Sequence, residues 1–180
     1  MKGPSYLLSL VLSLMIAATV SGQAAGPAHP PGEGKRIAPA FSLTSLEGEK
    51  LDLSALRGKV VVLNFWFTGC APCVAEFGKL NGLVDKFKDK GVVFIAPTLD
   101  NEAILKPFLK KHRFKYHVVP NAGSLIVSTY SDGSGEVVFP THIVIDREGK
   151  IDTRLTGAEE IGDVQKAIAR LTGAEPEKVK

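Results

Sequence analysis

The spacing of apolar and polar positions changes several times along the chain, and each change predicts an element. Residues 41–54, "FSLTSLEGEKLDLS", alternate apolar and polar side chains around a glycine-containing turn at Glu47 and Gly48, the pattern of a β-hairpin. "GKVVVLNFWF", Gly58–Phe67, is an unbroken β-branched and aromatic run, as a central strand covered on both faces requires. Val74, Phe77, Leu80, Val84 and Phe87 then recur at three- and four-residue spacings, which predicts an amphipathic helix over Val74–Lys88. "GVVFIAPTL" reads as a second buried strand, and "NEAILKPFLKKHRF" as a helix capped by Asn101 and bent or re-started at Pro107. "THIVID", the turn "REGK" and "IDTRLTG" make strand, turn and strand, before a closing helix in "EEIGDVQKAIARLTG". Strands alternating with helices, followed by a hairpin, imply an α/β layered sheet.

The two ends read differently. "MKGPSYLLSLVLSLMIAATVSGQAAG" places a cation at Lys2 before an apolar run from about Tyr6 to Val20 and then small residues, the pattern of a secretory signal peptide over residues 1–24. The run falls short of the ~20 residues that cross a bilayer, so cleavage is favoured over an uncleaved anchor. Val20 and Gly22, or Gly22 and Ala24, fit positions minus three and minus one. Residues 25–36, rich in proline and glycine, form a flexible linker, residues 37–173 the folded domain, and residues 174–180 a frayed tail. This order puts the domain in the periplasm or another extracytoplasmic space, where thiols meet oxidising conditions. Contact with a membrane is expected only if the first segment stays attached.

Composition narrows the function classes. A net charge of +3 with lysines interspersed among acids leaves no broad footprint for nucleic acid. With 180 residues the chain can bury a core without a covalent staple.

Both cysteines lie in "NFWFTGCAPCVAEF". A structural disulfide between Cys70 and Cys73 closes about four residues and restrains the unfolded chain by roughly 2 kcal/mol, against ~3 for a fifteen-residue loop. A zinc reading pairs them with His112 and His117, but the gap between the pairs is much longer than a small zinc module allows, and Pro72 suits a helix start better than a knuckle. A redox pair fits best. A strand ending near Phe67 and a helix starting near Cys70 set the first sulfur at a helix N-terminus, where amide donors favour the thiolate; Pro72 fits the first turn, and Cys73, further in, is the resolving thiol.

Lowering a thiol from ~8.5 to ~7 raises its thiolate fraction at neutral pH about fifteenfold. The weaker nucleophilicity of that thiolate gives back about fivefold. The larger result is roughly 2 kcal/mol of thiolate stabilisation, which shifts the couple toward its reduced form. Ala71 and Pro72 bring no further cation, so a moderate potential and a reductant or exchange role are expected.

"APAFSLTSLEGEKLDLSALRGKVVVLNFWFTGCAPCVAEF" followed by "FPTHIVIDREGKI" resembles the TlpA/ResA-like branch of the thioredoxin superfamily, extracytoplasmic thiol-disulfide oxidoreductases, over about Ile37 to Leu171. The resemblance implies a thioredoxin-like fold: a central mixed β-sheet flanked by helices, with an N-terminal β-hairpin and a TlpA-type insertion over "FKYHVVPNAGSLIVSTYSDGSGEVVF" that lines the partner groove. It makes Cys70 the exposed attacking cysteine, Cys73 the buried resolving one, and Pro140 a cis-proline whose loop, with Phe139 and Thr141, meets an extended partner. Trp66 matches an aromatic beside the active site, or is ordinary core. Glu76 matches a glutamate that handles protons near the thiols, or is a first-turn acid favouring the helix N-terminus. No cofactor is implied beyond the Cys70–Cys73 couple itself. The partners implied are client proteins with disulfides or thiols and a membrane electron donor of the DsbD or CcdA type.

Three departures stand out. Asn64 replaces the buried aspartate of thioredoxins proper, Gly69 replaces an aromatic before Cys70, and Gly78 replaces a proline that kinks the helix. Two other functions share the scaffold. A peroxiredoxin needs a proline upstream of its cysteine that "FWFTGC" lacks. A copper- or haem-assembly chaperone would use Cys70, Cys73 and a histidine such as His142.

Overall fold

The computed structural model describes residues 36–131, 136–158 and 161–174. The expected signal peptide over residues 1–24, the expected linker up to residue 35 and the expected tail from residue 175 lie outside the described residues. The alternating stretch forms β1 (Ser42–Thr44) and β2 (Lys50–Asp52), paired antiparallel. Gly48 takes φ +88 at the turn, and the Ser45 hydroxyl oxygen accepts the amides of Glu47 and Glu49, both at 3.2 Å.

The apolar run becomes β3 (Val60–Phe65), buried at every position. A short helix α1 (Ala71–Ala75) and a longer α2 (Phe77–Phe87) follow. The spacing of apolar residues predicts one helix here, but the ladder breaks at Glu76, whose amide bonds to the carbonyls of Cys73 and Val74. Then come β4 (Val92–Pro97) and α3 (Glu102–Lys111), capped by the Asn101 side chain on the Ile104 amide at 3.1 Å. The helix α3 runs through Pro107 without re-starting and ends before His112. After β5 (His117–Val119), a wide helical turn at Leu125–Thr129 leads toward β6 (Thr141–Ile145), β7 (Ile151–Thr156) and α4 (Ile161–Thr172). Among the described residues no helix is long and apolar enough to cross a membrane.

The five-stranded sheet has the order β5-β4-β3-β6-β7, with β3, β4 and β5 parallel and β6 antiparallel to both β3 and β7. Because side chains alternate along a strand, β3 feeds two cores. Val60, Val62 and Trp66 pack with Cys70, Cys73, Phe77, Leu80, Leu105 and Ile168 on the face covered by the four helices. Val61, Leu63 and Phe65 pack with Phe41, Leu51, Ile126 and Tyr130 on the other.

That second core corrects the expectation for the insertion. Val119, Ala122, Ile126 and Tyr130 are buried against the hairpin side of the sheet, so the middle of the segment builds core, while its end, Val138 and Phe139, runs directly into Pro140.

Candidate active site

At the C-terminal end of β3 the chain turns through Phe67, Thr68 and Gly69 into α1. Asp100, just beyond β4, holds this turn: its Oδ2 accepts the Thr68 amide at 2.6 Å and the Thr98 hydroxyl at 3.3 Å. Cys70 is the N-cap of α1, its amide bonded to the Phe67 carbonyl at 3.0 Å. The Cys70 Sγ accepts the Cys73 amide at 3.3 Å, and Pro72 sits in the first turn, where its missing N–H leaves no bond unmade.

Cys70 and Cys73 are joined as a disulfide, their Cα atoms 5.3 Å apart. Cys70 is 5% exposed and Cys73 1%. Cys70, expected as the exposed attacking cysteine, is therefore less open than that reading implies, although it remains the more accessible of the two. Exposed Ala71 and Pro72 bring solvent up to the bond.

The peptide bond between Phe139 and Pro140 is cis. Thr141 is fully buried, and its hydroxyl donates to the Val138 carbonyl at 2.6 Å, so it braces the proline turn and does not present its side chain to a partner. Phe139 is half-buried and meets Phe67 edge to face, ring centres 5.2 Å apart. Phe67 also lies over Gly69, where a Cβ would come within 3.2 Å of its ring. An aromatic from position 67 thus occupies the space beside Gly69.

Trp66 faces inward with no exposed surface. It packs against Phe77, Phe108 and Phe114, and its indole N–H donates to the Ala96 carbonyl at 3.4 Å. Of the two expectations for this residue, the core position is the one it occupies. His112 stacks on Phe108 and His117 stands 3.0 Å from Glu49, so neither converges on the cysteines.

Glu76 is 4% exposed. The break between α1 and α2 turns its carboxylate away from solvent, where a first-turn acid serving only the helix terminus would stay. Its Oε2 lies 3.3 Å from His142 Nε2, close enough for an ion pair without an aligned hydrogen bond. The other ring nitrogen, Nδ1, is 3.1 Å from Asn64 Nδ2. Asn64 and His142 are direct cross-strand partners on β3 and β6, on the same sheet face as Val62, Trp66 and Val144. Both imidazole nitrogens therefore face protein groups other than sulfur. Tyr116 completes the group: burial first, and the negative charge of Glu76 second, push its phenol above the ordinary range.

Sequence reasoning named Cys70, Cys73, Glu76 and Pro140; the two cysteines are bonded, the Glu76 amide reaches the Cys73 carbonyl, and the turn that holds Pro140 meets the Cys70 turn through Phe139 and Phe67. It missed Phe67 and Asp100, and it gave His142 to a metal reading. The available signal was a polar residue inside each of two otherwise apolar central strands, Asn64 in "VVVLNF" and His142 in "THIVI".

The Redoxin family matches residues 32–171. A thiol-disulfide oxidoreductase ResA from Bacillus cereus is 38% identical over 136 residues, covering 75% of this chain and 76% of its own. The ResA of Bacillus subtilis is 33% identical over 121 residues, 67% of this chain and 65% of its own. Among solved structures, a thiol:disulfide interchange protein from Bacteroides sp. superposes with a TM-score of 0.63 at 27% identity, covering 79% of this chain and 92% of that one. A cysteine pair joined at the strand-to-helix turn of this sheet is what thiol-disulfide exchange uses, and the chain belongs to the Redoxin family as a thiol-disulfide oxidoreductase of thioredoxin-like fold.

Proposed function

We propose that this enzyme works outside the cytoplasm as a reductant of protein disulfides, in cytochrome c maturation or envelope redox homeostasis. The observation that carries this reading is Cys70 as the cap of α1, the more accessible sulfur of a bonded pair whose flanking residues add no cation. Amide donors at that cap stabilise the thiolate, which favours the reduced pair and a moderate potential.

In the forward direction the Cys70 thiolate attacks a client disulfide and expels one client thiolate. Cys73 then loses its proton, attacks Cys70 Sγ and expels the second. Glu76 handles that proton, Pro140 and Phe139 form the shelf for an extended client, and the Cys70–Cys73 couple is the whole redox centre. Residues 1–24 direct export or remain as an anchor, residues 25–36 tether the domain, and a membrane donor of the DsbD or CcdA type restores the dithiol.

The test is equilibration of the couple against glutathione buffers. A midpoint nearer thioredoxin's, about −270 mV, is expected; one close to about −120 mV would reverse the direction of electron flow. Trapping with Cys73→Ala, which keeps the client attached to Cys70, would then name the substrate.

A further inference from the structure

All the buried side-chain atoms without a hydrogen-bond partner among the described residues fall in one cluster: Asn64 Oδ1, both carboxylate oxygens of Glu76, Tyr116 Oη and His142 Nε2. An unpartnered buried polar atom costs stability, so a cluster of them kept in one place calls for a use. It adjoins the start of α1, since Glu76 lies one turn beyond Cys73 and bonds back to its carbonyl.

The orientation of the imidazole follows from its neighbour. An amide NH₂ can only donate, so Asn64 Nδ2 makes Nδ1 the acceptor and leaves the neutral ring's proton on Nε2, the nitrogen facing Glu76. If the ring takes a second proton, rotating the Asn64 amide presents Oδ1 to Nδ1–H. Asparagine thus serves both states of the ring, where an aspartate would favour the imidazolium.

We propose that His142, oriented by Asn64, is a positioning residue for Glu76: its Nε2–H supports the buried carboxylate so that Glu76 can take the proton from Cys73 during resolution. The step balances. The Cys73 thiol gives its proton to the carboxylate, the thiolate forms the bond to Cys70 Sγ, the leaving group departs as a thiolate, and the proton passes on to solvent. Tyr116, from the segment before β5, lies near enough to Glu76 to feel its charge, Leu155 is the cross-strand neighbour of His142 on β7, and the titratable Cys70 and Cys73 belong with Val144, Val164 and Ile168 to the same helix-side core. This inference rests on Glu76 as the proton-handling group and is independent of client and compartment.

Reduced protein mixed with the aromatic disulfide dithiobis-nitrobenzoate releases thionitrobenzoate twice, first by Cys70 attack and then by Cys73 attack. Stopped-flow pH profiles of the two phases are compared for wild type, His142→Val, His142→Gln and Glu76→Gln. In His142→Val the rising limb of the second phase moves to higher pH by about one unit, the lower end of what one lost charge or hydrogen-bond partner does. The first phase stays in place, His142→Gln, whose amide still donates, moves less, and His142→Val adds nothing in a Glu76→Gln background.

Overlay of His142→Val on wild type, or a shift that persists without Glu76, overturns the proposal. A Glu76→Gln profile like wild type removes Glu76 itself, a separate failure. Should His142→Val not fold, the ring ¹⁵N resonances of the wild-type chain give the answer. The Nε2-protonated ring, with a pH response that differs between disulfide and dithiol, is expected; an identical response in both overturns the proposal.

Discussion

The two faces of the central sheet are built on opposite terms. On the hairpin side, Val61, Leu63, Phe65, Ile143 and Ile145 meet an apolar layer, and the buried tyrosine there, Tyr130, donates its hydroxyl to the Pro39 carbonyl at 2.7 Å. On the helix side, the same strands carry Asn64 and His142 into a core whose buried tyrosine, Tyr116, has no partner for its hydroxyl among the described residues. One face maximises burial and satisfies its polar atoms; the other gives up stability where the sulfur chemistry is done. Proteins commonly concede stability at a working site, and here the concession is confined to one side of one sheet.

Substitutions that treat the faces unequally test this contrast. The largest effect belongs to Ile145→Ala on the apolar face, which should cost about 2–5 kcal/mol in urea unfolding of the oxidised protein and leave disulfide exchange per folded molecule unchanged. A cost below about 1 kcal/mol would mean that this face is not the main stabiliser.

The two tyrosines give a smaller contrast of opposite sign. Tyr130→Phe removes a made hydrogen bond and should cost about 1 kcal/mol, whereas Tyr116→Phe removes an unpartnered hydroxyl and should be neutral or stabilising. The Tyr116 substitution has a pH signature as well. Its phenol is raised in the folded state, so its contribution is complete below the unfolded value of ~10 and declines as pH rises beyond it. Tyr116→Phe should flatten that alkaline decline in denaturation midpoints; equal declines in both proteins would contradict the assignment.

The smallest effect is a control away from both faces. The Ser54 hydroxyl, then its amide, hold the exposed Asp52 carboxyl below its usual range. The associated stability is present above ~3.9 and is lost as pH falls below it, so Ser54→Ala should soften the acid limb slightly and leave the neutral midpoint in place.

Much of this was legible in the order of residues. β-branched runs announced the central strands, and Cys70, Pro72 and Cys73 announced a helix start. The break at Glu76 was not, because Phe77, Leu80, Val84 and Phe87 keep helical spacing across it; the interruption lies in backbone hydrogen bonding, which side-chain periodicity does not record. The Asn64 and His142 pairing was hidden for a related reason. Strands buried on both faces have no polar alternation to reveal which way a lone polar residue points, and only the register between β3 and β6 brings these two together. Trp66 was open to two readings because a tryptophan beside a cysteine pair looks alike in sequence whether it floors the site or lines it.

The margins of the sheet carry a last consequence. The outer strand β5 is three residues long and is covered where Leu46 donates its amide to the Val118 carbonyl, while β7 carries Asp152 and Arg154 and pairs with β6 across an irregularity at Val144 and Ile145. Short, tied or charged borders are poor templates for a neighbouring molecule's backbone. The folded protein should therefore withstand concentration and storage without seeding fibres.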